Sequence, residues 1–168
     1  MILDLHDLAL RPGDRFENSY PFEMSPLVLG GASYEVLPQR NVTVAVERVV
    51  GGFLVDVSLK ARVYGPCARC LEEATLEIEA AQQEFVPTAK DGWEESDLSA
   101  FVEDLVVDVD GIAREALVLA LPGQVLCTES CKGLCPHCGQ DLNRGTCGCS
   151  GHETDERWNK LKDLTLGD

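Results

Sequence analysis

Eight cysteines carry the most specific chemistry in this chain, and their spacing points to metal. Six fall in the stretch Cys127–Cys149, CTESCKGLCPHCGQDLNRGTCGC, and two lie upstream as Cys67 and Cys70. A structural Zn²⁺ takes four thiolate or imidazole ligands in a tetrahedron, and a Cys-x-x-Cys turn supplies two of them at once. Cys67-Ala68-Arg69-Cys70 and Cys135-Pro136-His137-Cys138 both have that spacing. In the second, Pro136 helps fix the turn, and Gly139 lets backbone amides turn back toward thiolate sulfur. Proximity groups Cys135 and Cys138 with Cys147 and Cys149, which leaves Cys67, Cys70, Cys127 and Cys131 as another set. Other sharings, or a bound His137 or His152, stay open. The expected cofactor is zinc, as one or two ions.

The competing uses of cysteine fit less well. Four disulfides require an oxidising compartment, and the opening MILDLHDL lacks the basic start and unbroken apolar core of a secretory signal. A redox-active Cys-x-x-Cys wants a strand-to-helix context, whereas Cys67 and Cys70 sit between two strand patterns. An iron–sulfur cluster uses the same ligand type, so zinc is preferred over it rather than proved against it.

These sites need a body to hold them. The 168 residues are 45% apolar and 26% charged, which suits one compact domain with a small appended module. The longest apolar run, Ala116–Leu121, is far short of a membrane span, so a cytoplasmic protein is expected. The formal charge is −15, and thiolates on zinc would make it more negative still. That sign repels phosphate backbones at long range and favours basic proteins as partners, unless the few cations gather on one face.

Residues 1 to about 40 are broken by Pro12, Gly13, Pro21, Pro26, Gly30, Gly31 and Pro38, a rhythm that predicts short edge strands and loops. From Asn41 the apolar period becomes two. Val42, Val44 and Val46 form one face, Gly51-Gly52 offers a turn, and Phe53, Val55, Val57, Leu59, Ala61 and Val63 form the buried face of a long strand. Ala74, Leu76, Ile78 and Ala80 continue the alternation, so the Cys67–Cys70 knuckle is expected at the tip of a second hairpin. On the outer face Lys60 and Arg62 stand near Arg69, with Arg48 and Arg40 as possible additions. They are candidate contacts for RNA or a partner, set against plain cross-strand pairing with Glu72, Glu73, Glu77 and Glu79.

Further on, residues 87–98 are a polar, acidic loop carrying Trp93, which either docks back on the sheet or stays partly exposed for a partner. Phe101–Val107 is apolar but of unassigned type. Asp108 can cap a helix over about Ile112–Ala120, stopped by Pro122-Gly123, and its apolar end implies burial against the sheet or at an interface. A second short helix is expected after Thr154, with Trp158, Leu161 and Leu164 on one side.

Taken together, Gly65-Pro66-Cys67-Ala68-Arg69-Cys70-Leu71, the segment Arg114–Pro122, the run Cys131–Gly139 and the tail Asp155-x-Arg157-Trp158-x-x-Leu161-Lys162 resemble the YceD family of large ribosomal RNA subunit accumulation proteins. The resemblance implies a bacterial, non-enzymatic factor needed for normal accumulation of 23S ribosomal RNA, with no catalytic residues to carry over. It also implies that Cys67, Cys70, Cys127 and Cys131 occupy the family's shared site, the second quartet being an elaboration.

The resulting expectation is an α+β fold with a mainly antiparallel β-sheet or barrel-like core. Residues 1–125 form the β domain, and 126–168 form a cysteine-rich zinc module with a short C-terminal helix. The expected function is ribosome biogenesis without catalysis or a small-molecule substrate. The partner is pre-ribosomal large-subunit RNA, a basic ribosomal protein, or both, contacted through Lys60, Arg62, Arg69, Trp93 or Trp158.

Overall fold

The structure is a computed structural model that describes residues 1–38, 41–89 and 92–149. It divides into two compact units, Met1–Cys131 and Lys132–Asp168. Among the described residues every strand and the α-helix lie in the first. They are β1 (Ile2–Asp4), β2 (Arg15–Tyr20), β3 (Leu27–Leu29), β4 (Ala32–Pro38), β5 (Val42–Val49), β6 (Gly52–Pro66), β7 (Glu73–Pro87), β8 (Val102–Glu103), β9 (Val106–Asp108) and α1 (Val109–Ala120). Every strand pairing is antiparallel. The fold is mostly antiparallel β-sheet with one helix, as the alternation predicts. The second expected helix, with Trp158, lies outside the described residues.

The long strand β6 is the axis of the main sheet. One of its edges is shared by β5, from Gly52 to Ser58, and by β4, from Ala61 to Tyr64; β7 runs along the whole of the other. β2 extends the sheet beyond β5, and β3 extends it beyond β4. Among the described residues the ladder has these open ends and does not close into a barrel. The β5–β6 hairpin turns at Val50-Gly51, where Gly51 adopts φ +83°, a conformation that side chains disfavour. Alternation then sends Val55, Val57, Ala61 and Val63 fully inward while Ser58, Lys60 and Arg62 face solvent. The period of two therefore fixes both which side is core and the register of every partner, since a slip of one residue would expose the valines.

α1 covers the inner face of β6 and β7. Asp108 caps it, its carboxylate accepting the Gly111 N–H at 3.2 Å. Val109, Ile112, Ala113, Ala116 and Leu117 are buried, the i, i+3, i+4, i+7, i+8 stripe of an amphipathic helix. Burying Ile112 or Leu117 contributes about 1.5–3 kcal/mol each. The expected burial of the helix end holds only for that stripe. Val118 and Leu119 are 41% and 75% exposed, because the apolar run wraps around the helix while one side of it meets the sheet. The segment of unassigned type, Phe101–Val107, contains the β8–β9 hairpin. That hairpin turns on Asp104 and Leu105, both at positive φ, and joins β1 in a separate three-stranded sheet.

Candidate metal centres

The β6–β7 hairpin places the first pair of thiols. Its last paired residues are Pro66 and Glu73, so Cys67–Glu72 form the tip. Within the tip the Cys67 N–H donates to the Glu72 carbonyl at 2.7 Å and the Leu71 N–H to the Cys67 carbonyl at 3.0 Å. The chain returning from α1 is tied to this tip by backbone, the Ala68 N–H donating to the Val125 carbonyl at 2.8 Å. Two residues later it delivers Cys127, and then Cys131.

The four sulfurs converge. Cys67 Sγ lies 3.7 Å from Cys131 Sγ, Cys70 Sγ lies 3.6 Å from Cys127 Sγ, and all four are within 4.8 Å of one another. A tetrahedral zinc with sulfurs at about 2.3 Å requires S···S separations of about 3.8 Å, close to the 3.7 and 3.6 Å of these two pairs, so the donor set suits such an ion. Cys67, Cys70 and Cys131 are buried and Cys127 is half-buried. Buried thiols this close, with no disulfide among them, form a site that can hold a metal ion.

The electrostatics suit a bound cation. Burial pushes the Cys67 thiol up, but backbone N–H groups of Arg69, Cys127 and Cys70 directed at its sulfur outweigh this, and its pKa falls to about 6. Cys70 accepts from the backbone of Glu72, yet burial and the sulfurs of Cys127, Cys67 and Cys131 push it up to about 12. One thiolate forms readily and the next is opposed by its neighbours. Cys67, Cys70, Cys127 and Cys131 would hold a divalent ion as thiolates, its charge offsetting their mutual repulsion.

A second quartet stands in the unit that starts at Lys132. Cys135, Cys138, Cys147 and Cys149 also have all four sulfurs within 4.8 Å, but only Cys135 is buried, while Cys138 and Cys149 are exposed. The knuckle repeats the first in backbone terms, the Gly139 N–H donating to the Cys135 carbonyl at 2.9 Å. Backbone N–H groups of Cys138 and His137, with the Cys147 thiol, lower Cys135 to about 6. Hydrogen bonds with Cys138 and Cys135, and then burial, push Cys149 up to about 12. His137 is not part of this four-sulfur set, and His152 lies outside the described residues.

The loop between the knuckle and Cys147 is held by polar side chains that spacing alone does not single out. Asp141 Oδ1 accepts from the Asn143 backbone at 2.9 Å and from its side-chain amide at 2.8 Å, while Asn143 Oδ1 accepts from the Lys132 N–H at 2.8 Å. Gly133 and Leu142 close the loop through an N–H to carbonyl bond of 2.9 Å. The Asp-x-Asn pattern of a side-chain-bonded turn was the available signal.

The other candidate contacts are dispersed. Lys60 pairs with Glu79 across the β6–β7 ladder, and Arg62 with Glu77 at 3.0 Å. Arg69 turns toward the first quartet instead, donating from Nη1 to the Cys131 carbonyl at 3.0 Å and from Nε to Gln124 at 3.4 Å. Arg48 lies 4.5 Å over the Phe53 ring at the far hairpin, and Arg40 is outside the described residues. The Trp93 ring packs 5.5 Å from that of Phe85 on β7 and remains 43% exposed. No helix among the described residues is long and apolar enough to cross a membrane.

Fold and sites together define an antiparallel β protein with two cysteine-only quartets able to hold metal ions. Residues 55–165 match the family described as large ribosomal RNA subunit accumulation protein YceD, and the chain belongs to that family. An uncharacterized Mycobacterium tuberculosis protein is 31% identical over 169 residues, covering 98% of this chain and 81% of the relative. The chloroplastic large ribosomal RNA subunit accumulation protein YCED homolog 1 of Arabidopsis thaliana is 31% identical over 58 residues, 34% of this chain and 18% of its own length. The Bacillus subtilis protein YlbN is 31% identical over 88 residues, 51% of each chain. No solved structure matches the chain.

Proposed function

We propose that this protein is a non-enzymatic ribosome-biogenesis factor that supports 23S ribosomal RNA accumulation and large-subunit assembly, folded around two structural zinc ions. The observation that carries the reading is the buried quartet Cys67, Cys70, Cys127 and Cys131 in a chain of a family named for that process. Four sulfurs fill a tetrahedron, so zinc there would have no position for a substrate or an activated water, and its contribution is to hold the chain.

A second reading concerns the contact through which it acts, and one observation favours it. Lys60 and Arg62 are each matched by a glutamate, and Arg69 is directed at the Cys131 carbonyl, so these cations do not form an uncompensated basic patch on this acidic protein. A basic ribosomal protein is therefore the better partner than bare RNA. The test is to mix the full chain with 23S fragments and, separately, with purified basic large-subunit proteins across a salt series. The adaptor reading expects comigration with protein and not RNA. Salt-sensitive RNA binding that disappears when Lys60, Arg62 and Arg69 become Glu would reverse the assignment.

A further inference from the structure

We propose that the outer edge of β7 is a docking strand, which takes an extended, lysine- or arginine-bearing segment of a partner protein by backbone pairing. The proposal rests on the protein-partner reading above and names the surface it would use.

The register of β6 against β7 decides which backbone groups are available. At the two ends of the ladder, the Thr88 N–H donates to the Gly51 carbonyl at 2.9 Å and the Cys67 N–H to the Glu72 carbonyl at 2.7 Å. Hydrogen-bonded pairs alternate along an antiparallel ladder, and both ends agree in parity. Even-numbered residues from Ala74 to Val86 therefore bond to β6. The N–H and C=O groups of Thr75, Glu77, Glu79, Ala81 and Gln83 point the other way. All five of these residues are exposed, and among the described residues β7 has no strand partner except β6.

Among the described residues the exposed part of this edge runs from Thr75 to Gln83, and its composition selects the occupant. Edge strands are commonly protected by lysine, by a mid-strand proline or by a bulge. β7 has no lysine or arginine, its proline comes only at Pro87, and its pairing with β6 is uninterrupted. It carries Glu73, Glu77, Glu79 and Glu84 instead; Arg62 and Lys60 already pair with Glu77 and Glu79, so Glu73, Glu84 and the chain's net charge of −15 are what draw a basic segment. A second copy of the same strand would bring glutamates against glutamates, which opposes self-pairing. An extended basic segment meets complementary charge and satisfies the backbone at once, the mode by which peptides add to sheet edges. At the knuckle end, Glu35 and Glu73 border the Tyr64 hydroxyl in a groove shared with the exposed Leu71, a seat for one basic side chain and its aliphatic stem.

The test uses the full chain and two probes: a synthetic peptide alternating lysine with threonine, and total protein extracted from large ribosomal subunits. Residue-level amide exchange of the peptide complex should show new protection at Thr75, Glu77, Glu79, Ala81 and Gln83, with the already bonded even-numbered amides little changed. Ala81→Pro removes one outward N–H and no bond to β6, and it should weaken peptide binding about tenfold or more. Binding without that alternate protection overturns the proposal, as does a dimer of this chain that protects the same amides unaided. Exchange on the wild-type protein keeps the test valid even should Ala81→Pro unfold. Capture of basic subunit proteins with the β7 edge unprotected removes the docking strand and leaves the adaptor reading. Peptide protection with no capture of subunit proteins does the reverse.

Discussion

The two cysteine quartets share a ligand set and a knuckle, and they differ in almost everything else. The first joins residues 64 apart in sequence, from Cys67 to Cys131, and is largely buried. The second closes within the segment Cys135–Cys149 and leaves Cys138 and Cys149 exposed. Identical chemistry thus serves two purposes. With metal bound, one quartet would fasten a returning chain to the tip of a β-hairpin, and the other would organise a loop with few backbone bonds of its own.

Breaking each quartet in turn separates these purposes and should give the largest effects. A cross-link spanning about 60 residues restricts the unfolded chain by about 4 kcal/mol, and a local one over about 15 residues by about 3. Cys131→Ser should therefore lose one equivalent of zinc and cost the β unit about 4 kcal/mol in urea unfolding. Cys149→Ser should also lose one equivalent, yet leave the amide protection of β5, β6 and β7 unchanged. If Cys131→Ser retains full metal content and stability, the first quartet is not the fastening described here.

Oxidation offers a milder way to sharpen the contrast. With zinc bound every ligand would be a thiolate, so exposure decides the order, and Cys138 and Cys149 should react with peroxide before Cys67, Cys70 and Cys131. Zinc release should come in two steps, with mass spectrometry locating the first modifications at the exposed pair. Simultaneous release from both quartets would show that burial does not protect the first.

How much of this was legible in the sequence depends on whether the signal was periodic. Alternation from Val55 to Val63 reads directly as a strand with one buried face, and Asp108 reads as the cap of a helix expected over about Ile112–Ala120, which in the structure starts at Val109. Cysteine spacing groups the thiols as the structure does. The β8–β9 hairpin was not legible, because its turn uses Asp104 and Leu105 where glycine or asparagine would announce it. Arg69 has the type of a surface cation, and only the fold shows that Cys131 lies beside it. The ladder partners of Lys60 and Arg62 were foreseeable as glutamates, since Glu77 and Glu79 follow once the hairpin tip is placed.

The smallest effect concerns the residue after each knuckle, where the two sites differ by one side chain. Leu71 and Gly139 make the same N–H bond back to the first cysteine's carbonyl, and both are left-handed, at φ +63° and +72°. Glycine adopts that conformation freely, whereas any other residue pays about 1–2 kcal/mol. Leu71 is 68% exposed, so little packing offsets its strain. Leu71→Gly removes the strain and adds about 0.5–1 kcal/mol of unfolded-state freedom, for a net stabilisation of at most about 1.5 kcal/mol. Gly139→Ala acts in the opposite sense and should weaken zinc retention at the second quartet by about 1 kcal/mol, read by competition with a chelator. Opposite signs establish that the two positions are equivalent in backbone and that the side chain at each sets the sign. A destabilised Leu71→Gly would mean instead that the leucine makes a packing contact worth more than its strain.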